Sequence, residues 1–202
     1  MGSTDYEFRT VWRVAGTPEE VAAALGDATA LPLWWPSVYL SAEPVAGGPE
    51  PLPGIPRPTR LHTKGWLPYT LRWTLAVTEP ITPRGFALTA AGDLNGTGRW
   101  SFEADGPETV ITYDWHVRAA KPLLRRLSWL LKPAFAANHR WAMARGQESL
   151  ALELRRRRAA ARSTAGSTAG STAPGAPAVP PPPPTFAWLT RRAARTDTWP
   201  AA

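Results

Sequence analysis

Along most of the first 118 residues, apolar and polar side chains alternate one by one, the pattern of strands that bury a single face. Tyr6, Phe8, Thr10, Trp12 and Val14 fall on one side, with Glu7, Arg9, Val11 and Arg13 largely on the other. The cleanest run sets Tyr69, Leu71, Trp73, Leu75 and Val77 against Thr70, Arg72, Thr74, Ala76 and Thr78. Gly98, Trp100, Phe102 and Ala104 alternate in the same way, as do Thr109, Ile111, Tyr113, Trp115 and Val117. Further strands are predicted at 37–45, 59–65 and 86–90. Turns are predicted at Pro80–Pro83, at Gly92–Gly96 and at the hairpin signal Asp105-Gly106. Six strands in succession, with no helical period between them, predict an antiparallel meander.

Helices are predicted in two places. After the first strand, Thr17-Pro18-Glu19-Glu20 has the form of a helix start: Thr17 as cap, Pro18 at the first helical position and Glu20 three residues after the cap. A second short helix around Thr29–Leu33 is predicted to end at Trp34-Trp35-Pro36, because a residue before proline is pushed out of the helical region. From Lys121 the period changes. Pro122 opens a leucine-rich helical segment, Pro133 is predicted to restart the helix after a break, and Ala134 to about Arg158 is rich in strong helix formers. Such a rod is about 37 Å long, enough to cross a small sheet. Residues 46–58 are dominated by Gly and Pro and are predicted to be a loop.

Composition sharpens the picture. The 202 residues include 11 tryptophans, and 44% of the chain is hydrophobic, sufficient for a substantial core. So many indoles predict either an oversized aromatic core or an aromatic-lined pocket. With no cysteine, disulfides, thiolate nucleophiles and Cys-based metal centres are excluded. The N-terminus lacks the pattern of a signal peptide and no apolar run reaches a membrane span, so a soluble, cytoplasmic protein is expected. The net charge of +7 is concentrated in Arg155 to Arg158 plus Arg162, where cations complement the negative end of a helix dipole. No nucleic-acid partner is expected from it, although the cluster leaves a peripheral membrane contact open. A disordered tail is expected over residues 163–202, with its Ser-Thr-Ala-Gly repeat and the run Pro180 to Pro184, following a folded domain over 1–162. The oligomeric state is not legible.

The order strand, two short helices, six strands, long helix resembles the helix-grip fold of the START-like superfamily, also called SRPBCC. The local resemblance rests on four stretches. Phe8-Arg9-Thr10-Val11-Trp12 with Thr17-Pro18-Glu19-Glu20-Val21 is similar to that family's first strand and helix, and Leu31-Pro32-Leu33-Trp34-Trp35-Pro36 to its helix-ending tryptophan motif. Arg99-Trp100-Ser101-Phe102-Glu103 with Thr109–Trp115 is similar to its last hairpin. Lys121-Pro122-Leu123-Leu124-Arg125 and Asn138-His139-Arg140-Trp141-Ala142-Met143 resemble the closing helix of bacterial polyketide cyclase/dehydrase-like members. The resemblance implies an α+β fold, with a sheet of about seven antiparallel strands wrapped around the long helix. It further implies an apolar cavity between the two, with a lipid, polyketide or similar hydrophobic molecule as ligand. The proline-rich loop 46–58 departs from the glycine-rich loop of pollen-allergen members, and no ligand role is transferred to it.

Candidate site residues follow from strand parity and position. Trp73, Trp100, Tyr113 and Trp115 lie on inward faces of central strands, while Trp34, Trp35 and Trp66 lie near expected openings; core packing is the competing explanation for each. His62 on a strand and Asn138 on the long helix are candidate polar contacts. If the cavity is catalytic, as in cyclases of the superfamily, Tyr113 and His139 are the candidate acid–base groups, with Arg72 or Arg99 to hold an oxyanion. His62, His116 and His139 show no metal-ligand spacing, so no metal is expected, and no cofactor. The glycines between Gly92 and Gly98 lie between strands, which rules out a dinucleotide loop.

Overall fold

The computed structural model describes residues 5–47, 51–119 and 122–168. Seven antiparallel strands form one sheet: β1 (Asp5–Ala15), β2 (Tyr39–Pro44), β3 (Thr59–Lys64), β4 (Thr70–Val77), β5 (Gly85–Gly92), β6 (Leu94–Asp105) and β7 (Glu108–Ala119). Their spatial order is β1-β7-β6-β5-β4-β3-β2, so the first strand returns to pair with the last. Helix α1 (Pro18–Leu25), a 3₁₀ turn (Ala28–Ala30) and α2 (Leu31–Trp34) follow β1, and α3 (Pro122–Thr168) closes the fold. This is the helix-grip arrangement.

The inward parity of each strand supplies the core. Trp12, Trp73, Trp100, Ile111 and Trp115 are buried against Val21, Leu25 and Trp34 from the short helices and Leu150 and Leu154 from α3. At α1 the expected cap is present: the Thr17 side chain accepts from the Glu20 amide, and the Glu20 carboxylate accepts from the Thr17 amide. Gly106, at φ +59, makes the tight β6–β7 connection in the left-handed region that suits glycine.

Three boundaries differ from expectation. The predicted Gly92–Gly96 turn shrinks to Asp93 alone, because Gly92 ends β5 paired with Trp73, and Leu94, Asn95 and Gly96 are already paired with Ala119, Arg118 and Val117 of β7. Gly96 serves there to admit a neighbouring strand, since a Cβ would lie 2.0 Å from the His116 carbonyl oxygen. Helix α3 runs unbroken through Pro133, 47 residues in all; a proline removes one backbone hydrogen bond, and a long helix can carry that loss as a kink. It also continues past Arg162 into the Ser/Thr/Ala/Gly repeat. Ala159–Ala161 favour helix there, and the hydroxyls of Ser163 and Thr164 donate back to the carbonyls of Ala159 and Ala160. The rest of the expected tail, residues 169–202, lies outside the described residues. Among those residues, no helix is long and apolar enough to cross a membrane.

Candidate functional site

Strand parity and the packing of α3 leave a cavity of about 170 Å³ between the sheet and the helix. Its floor is formed by side chains on the concave face, among them Leu71, Trp73, Tyr113, Trp115 and Val117, and its roof by Phe135, Asn138, His139, Ala142 and Met143 of α3. The roof residues share one helical face at three- and four-residue steps, which continues through Gly146, Leu150 and Leu154.

The floor is an aromatic stack held in register by the strands. Trp100 and Tyr113 sit opposite each other on β6 and β7 with ring centroids 3.9 Å apart, and Tyr113 stacks on Trp115 at 5.6 Å. Gly98 makes room for both: a Cβ there would lie 2.8 Å from the Tyr113 hydroxyl and 2.9 Å from the Trp115 ring. The Trp73 indole N–H donates to the Thr63 hydroxyl at 3.1 Å, so this deep polar atom is satisfied within the wall.

All four tyrosines of the chain, Tyr6, Tyr39, Tyr69 and Tyr113, line this one cavity. Burial raises the pKa of each hydroxyl: that of Tyr69 is pushed up to about 12, and those of Tyr113 and Tyr39 also rise, Tyr113 well above its usual value. They are neutral hydrogen-bonding groups at any ordinary pH. His139 is stacked on Phe8 at 4.0 Å, and its Nε2 is buried without a hydrogen-bond partner among the described residues. Burial, reinforced by the nearby Arg140 charge, holds its pKa down at about 4, so the imidazole is neutral near pH 7. Among the described residues, no carboxylate lines the cavity, and Lys64 is the one ordinarily cationic side chain that does. Burial lowers the Lys64 pKa.

The sequence-derived candidates are distributed unevenly around this cavity. Trp35, Trp73, Tyr113, Trp115, Asn138 and His139 all line it. Trp100 lies behind the Tyr113 ring and lines a second, smaller cavity of about 50 Å³. Trp34 is fully buried in the core, stacked on Trp35 at 5.7 Å. His62 is buried opposite Arg72 in register, on the alternate parity from Thr63, and does not line the cavity. Trp66 is 40% exposed and also lies off the wall. Arg72 and Arg99 do not line the cavity either; Arg99 forms an ion pair with Glu79. His116 is exposed, 3.6 Å from Glu7.

Asn138 has a structural task at the rim. Its side-chain oxygen accepts from the amides of Trp66 at 2.9 Å and Leu67 at 3.3 Å, fastening the β3–β4 turn to α3. The contact needs Gly65, where a Cβ would fall 2.0 Å from the same oxygen. Sequence reasoning missed Tyr6, Phe8, Tyr39, Tyr69, Phe135 and Met143 as wall residues. Parity already set Tyr6, Phe8 and Tyr69 inward, and the helical spacing of Phe135, His139 and Met143 was legible. Tyr39 was hidden by the irregularity in β2–β3 pairing between Tyr39 and Ser41.

The arginines of 155–158 are mostly engaged within the fold. Arg156 and Arg157 pair with the buried Glu153, both at 2.6 Å, and Arg157 also donates to the Ala23 carbonyl. Arg158 pairs with Glu20 at 2.5 Å and donates to the Ala15 carbonyl. Among the described residues, no group of three His, Cys, Asp or Glu side chains is gathered as for a metal ion.

Residues 6–155 match the family described as polyketide cyclase / dehydrase and lipid transport. No curated protein sequence matches the chain. Among solved structures, TTHA0849 from Thermus thermophilus is similar at 18% identity and TM-score 0.55, over 72% of this chain and 97% of that one. The Zhui aromatase/cyclase from Streptomyces sp. R1128 has the same identity, 18%, and the same TM-score, 0.55, over 76% of this chain and 95% of its own. The di-domain ARO/CYC BexL from the BE-7585A biosynthetic pathway is 18% identical with TM-score 0.53, over 73% of this chain and 50% of that one. Likeness at these identities shows a shared fold and no shared chemistry.

Proposed function

The chain belongs to the polyketide cyclase / dehydrase and lipid transport family, and on that premise we propose that it binds a hydrophobic small molecule, a lipid, polyketide or similar, in the cavity between sheet and α3. The observation that carries this reading is the wall itself. Stacked indoles and phenyl rings surround a space much larger than one water, with four neutral hydroxyls set among them. Apolar burial supplies the affinity at about 25 cal/mol per Å², and the tyrosine hydroxyls orient a ligand that carries a few oxygen acceptors. A ligand burying roughly 300 Å² of apolar surface gains about 7.5 kcal/mol, from which the loss of its own freedom is subtracted. A cytoplasmic setting and the absence of a nucleic-acid partner belong to the same reading.

The test has two arms. Native mass spectrometry of the purified protein should retain a co-purifying small molecule. Titration with environment-sensitive fluorophores and lipid analogues should quench tryptophan emission saturably, since Trp73 and Trp115 line the site. An empty protein that responds to none of a broad hydrophobic library would overturn the proposal.

A second reading, a cyclase or dehydrase working in the same cavity, is favoured by the unpartnered His139 Nε2, a neutral base facing Phe8 at the roof. It ranks second on physical grounds. An imidazole held at about 4 is a weak base near pH 7, and a Tyr113 hydroxyl raised well above its usual value is a reluctant acid. Turnover of a polyketide-type substrate that is lost in both His139→Ala and Tyr113→Phe, with binding retained, would promote this reading to first.

A further inference from the structure

The 170 Å³ cavity does not end at a solid floor. Beyond it lies the second cavity of about 50 Å³, lined on its far side by Leu25, Leu31, Leu75, Phe86, Leu88 and Trp100. The two spaces share a partition of five residues: Trp35, Tyr39, Trp73, Tyr113 and Met143. A ligand long enough to reach the partition meets whichever of these can move.

Three of the five are fixed by their surroundings. Trp35 is wedged against α3, where a Cβ on Gly146 would lie 2.3 Å from its ring, and it also packs on Trp34 and Trp12, both at 5.7 Å. Trp73 is tied by its N–H to Thr63. Tyr113 is clasped between Trp100 and Trp115. Tyr39 stands edge-on to Trp35 at 5.1 Å, which limits it to small rotations. Met143 remains. It is buried, unbranched and able to turn about three side-chain bonds without breaking a hydrogen bond or a ring stack.

Resting on the ligand-binding function proposed above, we infer that the inner cavity is a terminal subsite for the apolar end of the bound molecule, and that Met143 is the residue that opens it. The described residues around the inner space include no charged group, and beyond the partition its lining is wholly apolar, so its occupant is an alkyl or unsubstituted ring terminus, while the oxygens of the ligand stay in the outer cavity beside Tyr6, Tyr69 and Lys64. Met143 thereby sets the length of ligand the protein accepts.

A homologous series of para-alkylphenols, from ethyl to decyl, tests this by tryptophan quenching and calorimetry on the full chain. In the unsubstituted protein, affinity climbs about fourfold per added methylene, as expected for buried CH₂ groups, and then levels off. Met143→Ala, which also trims the roof of the outer cavity, should shift all affinities by a common factor and carry the climb about two methylenes further, so that the longer chains gain about fifteenfold relative to the shortest. Met143→Phe should end the climb earlier, at a shorter chain than in the unsubstituted protein; matching circular dichroism shows that each variant is folded. Binding with a plateau at the same length in all three proteins overturns the role of Met143, as does a gain in Met143→Ala that is equal at every length. No binding of any member to any of the proteins overturns the ligand-binding function itself, and the inference with it.

Discussion

From Ser149 to Arg158 the closing helix lies flush on the rest of the fold. Ser149, Leu150, Glu153 and Leu154 are all almost completely buried, and Arg157 and Arg158 reach across to α1 and the end of β1. From Phe135 to Ala142 the same helix is only half-buried, and its inward face looks onto the cavity. Gly146 and Met143 mark the boundary. At Gly146 the absent side chain lets Trp35 touch the helix backbone, and from Met143 back to Phe135 the same face lines the cavity instead. One continuous rod thus serves as a clamp at one end and a roof at the other. Ligand space and stability are divided along its length, because close packing that stabilises one half would fill the cavity under the other.

Under that division, substitutions at the clamp should cost stability and those at the roof should alter binding. The largest effect is expected at the boundary. Gly146→Val places two methyl groups into the Trp35 ring and should destabilise by about 3 kcal/mol, seen as a clear fall in Tm. An unchanged Tm would mean that helix and ring are not in contact.

Next comes the roof's response to acid. The folded-state pKa of His139 lies at about 4, below the ordinary 6.5, so the unfolded chain binds more protons between these values. Stability is therefore full above about pH 6.5 and falls as the pH drops toward 4, by at most about 3 kcal/mol on linkage grounds. Urea melts across this range should show the slope, and His139→Leu should flatten it. A slope that survives the substitution would assign it to another group.

Asn138→Ala should cost about 1 to 2 kcal/mol, since it leaves the Trp66 and Leu67 amides without their side-chain acceptor. Its sharper signature is kinetic: with the β3–β4 turn unfastened, hydrogen exchange at residues 65–67 and probe release should both quicken. Equal exchange in the two proteins would remove the turn from the rim.

The smallest effect is at the clamp's surface. The Arg158 guanidinium, by hydrogen bond, holds the Glu20 carboxyl down at about 2, helped by the Thr17 amide. Its contribution is present above the ordinary carboxylate range and is lost as the pH falls toward 2. Because the pair is a third exposed, Glu20→Gln should cost about 1 kcal/mol at neutral pH and nothing at pH 2. Chemical denaturation at the two pH values gives the comparison.

How legible these features were in the sequence depended on their range. The capping box at Thr17 and the hairpin at Asp105-Gly106 are local, and both were read correctly from neighbouring residues. The inward placement of Trp73, Trp100, Tyr113 and Trp115 followed from a two-residue period that a one-sided sheet enforces. Trp66 and His62 show the limit of such reasoning, since an aromatic or a histidine in a suitable element need not face the space between elements. The arginines of 155–158 read as a solvated basic helix end, and only the folded contacts show Glu153 and Glu20 absorbing their charge.

Sequence alone determined the order of the elements and the parity of the regular strands, because these depend on contacts within a few residues and on periodic burial. It also determined that the inward faces would be rich in aromatic rings and that the chain carries no thiolate. Tertiary structure decided where the sheet and helix touch and where they part. That outcome depends on pairs far apart in the chain, such as Gly146 with Trp35 or Gly65 with Asn138, in which a missing Cβ matters only through the partner that occupies its place. A cavity is the volume left over by all such pairings, and no local pattern encodes it.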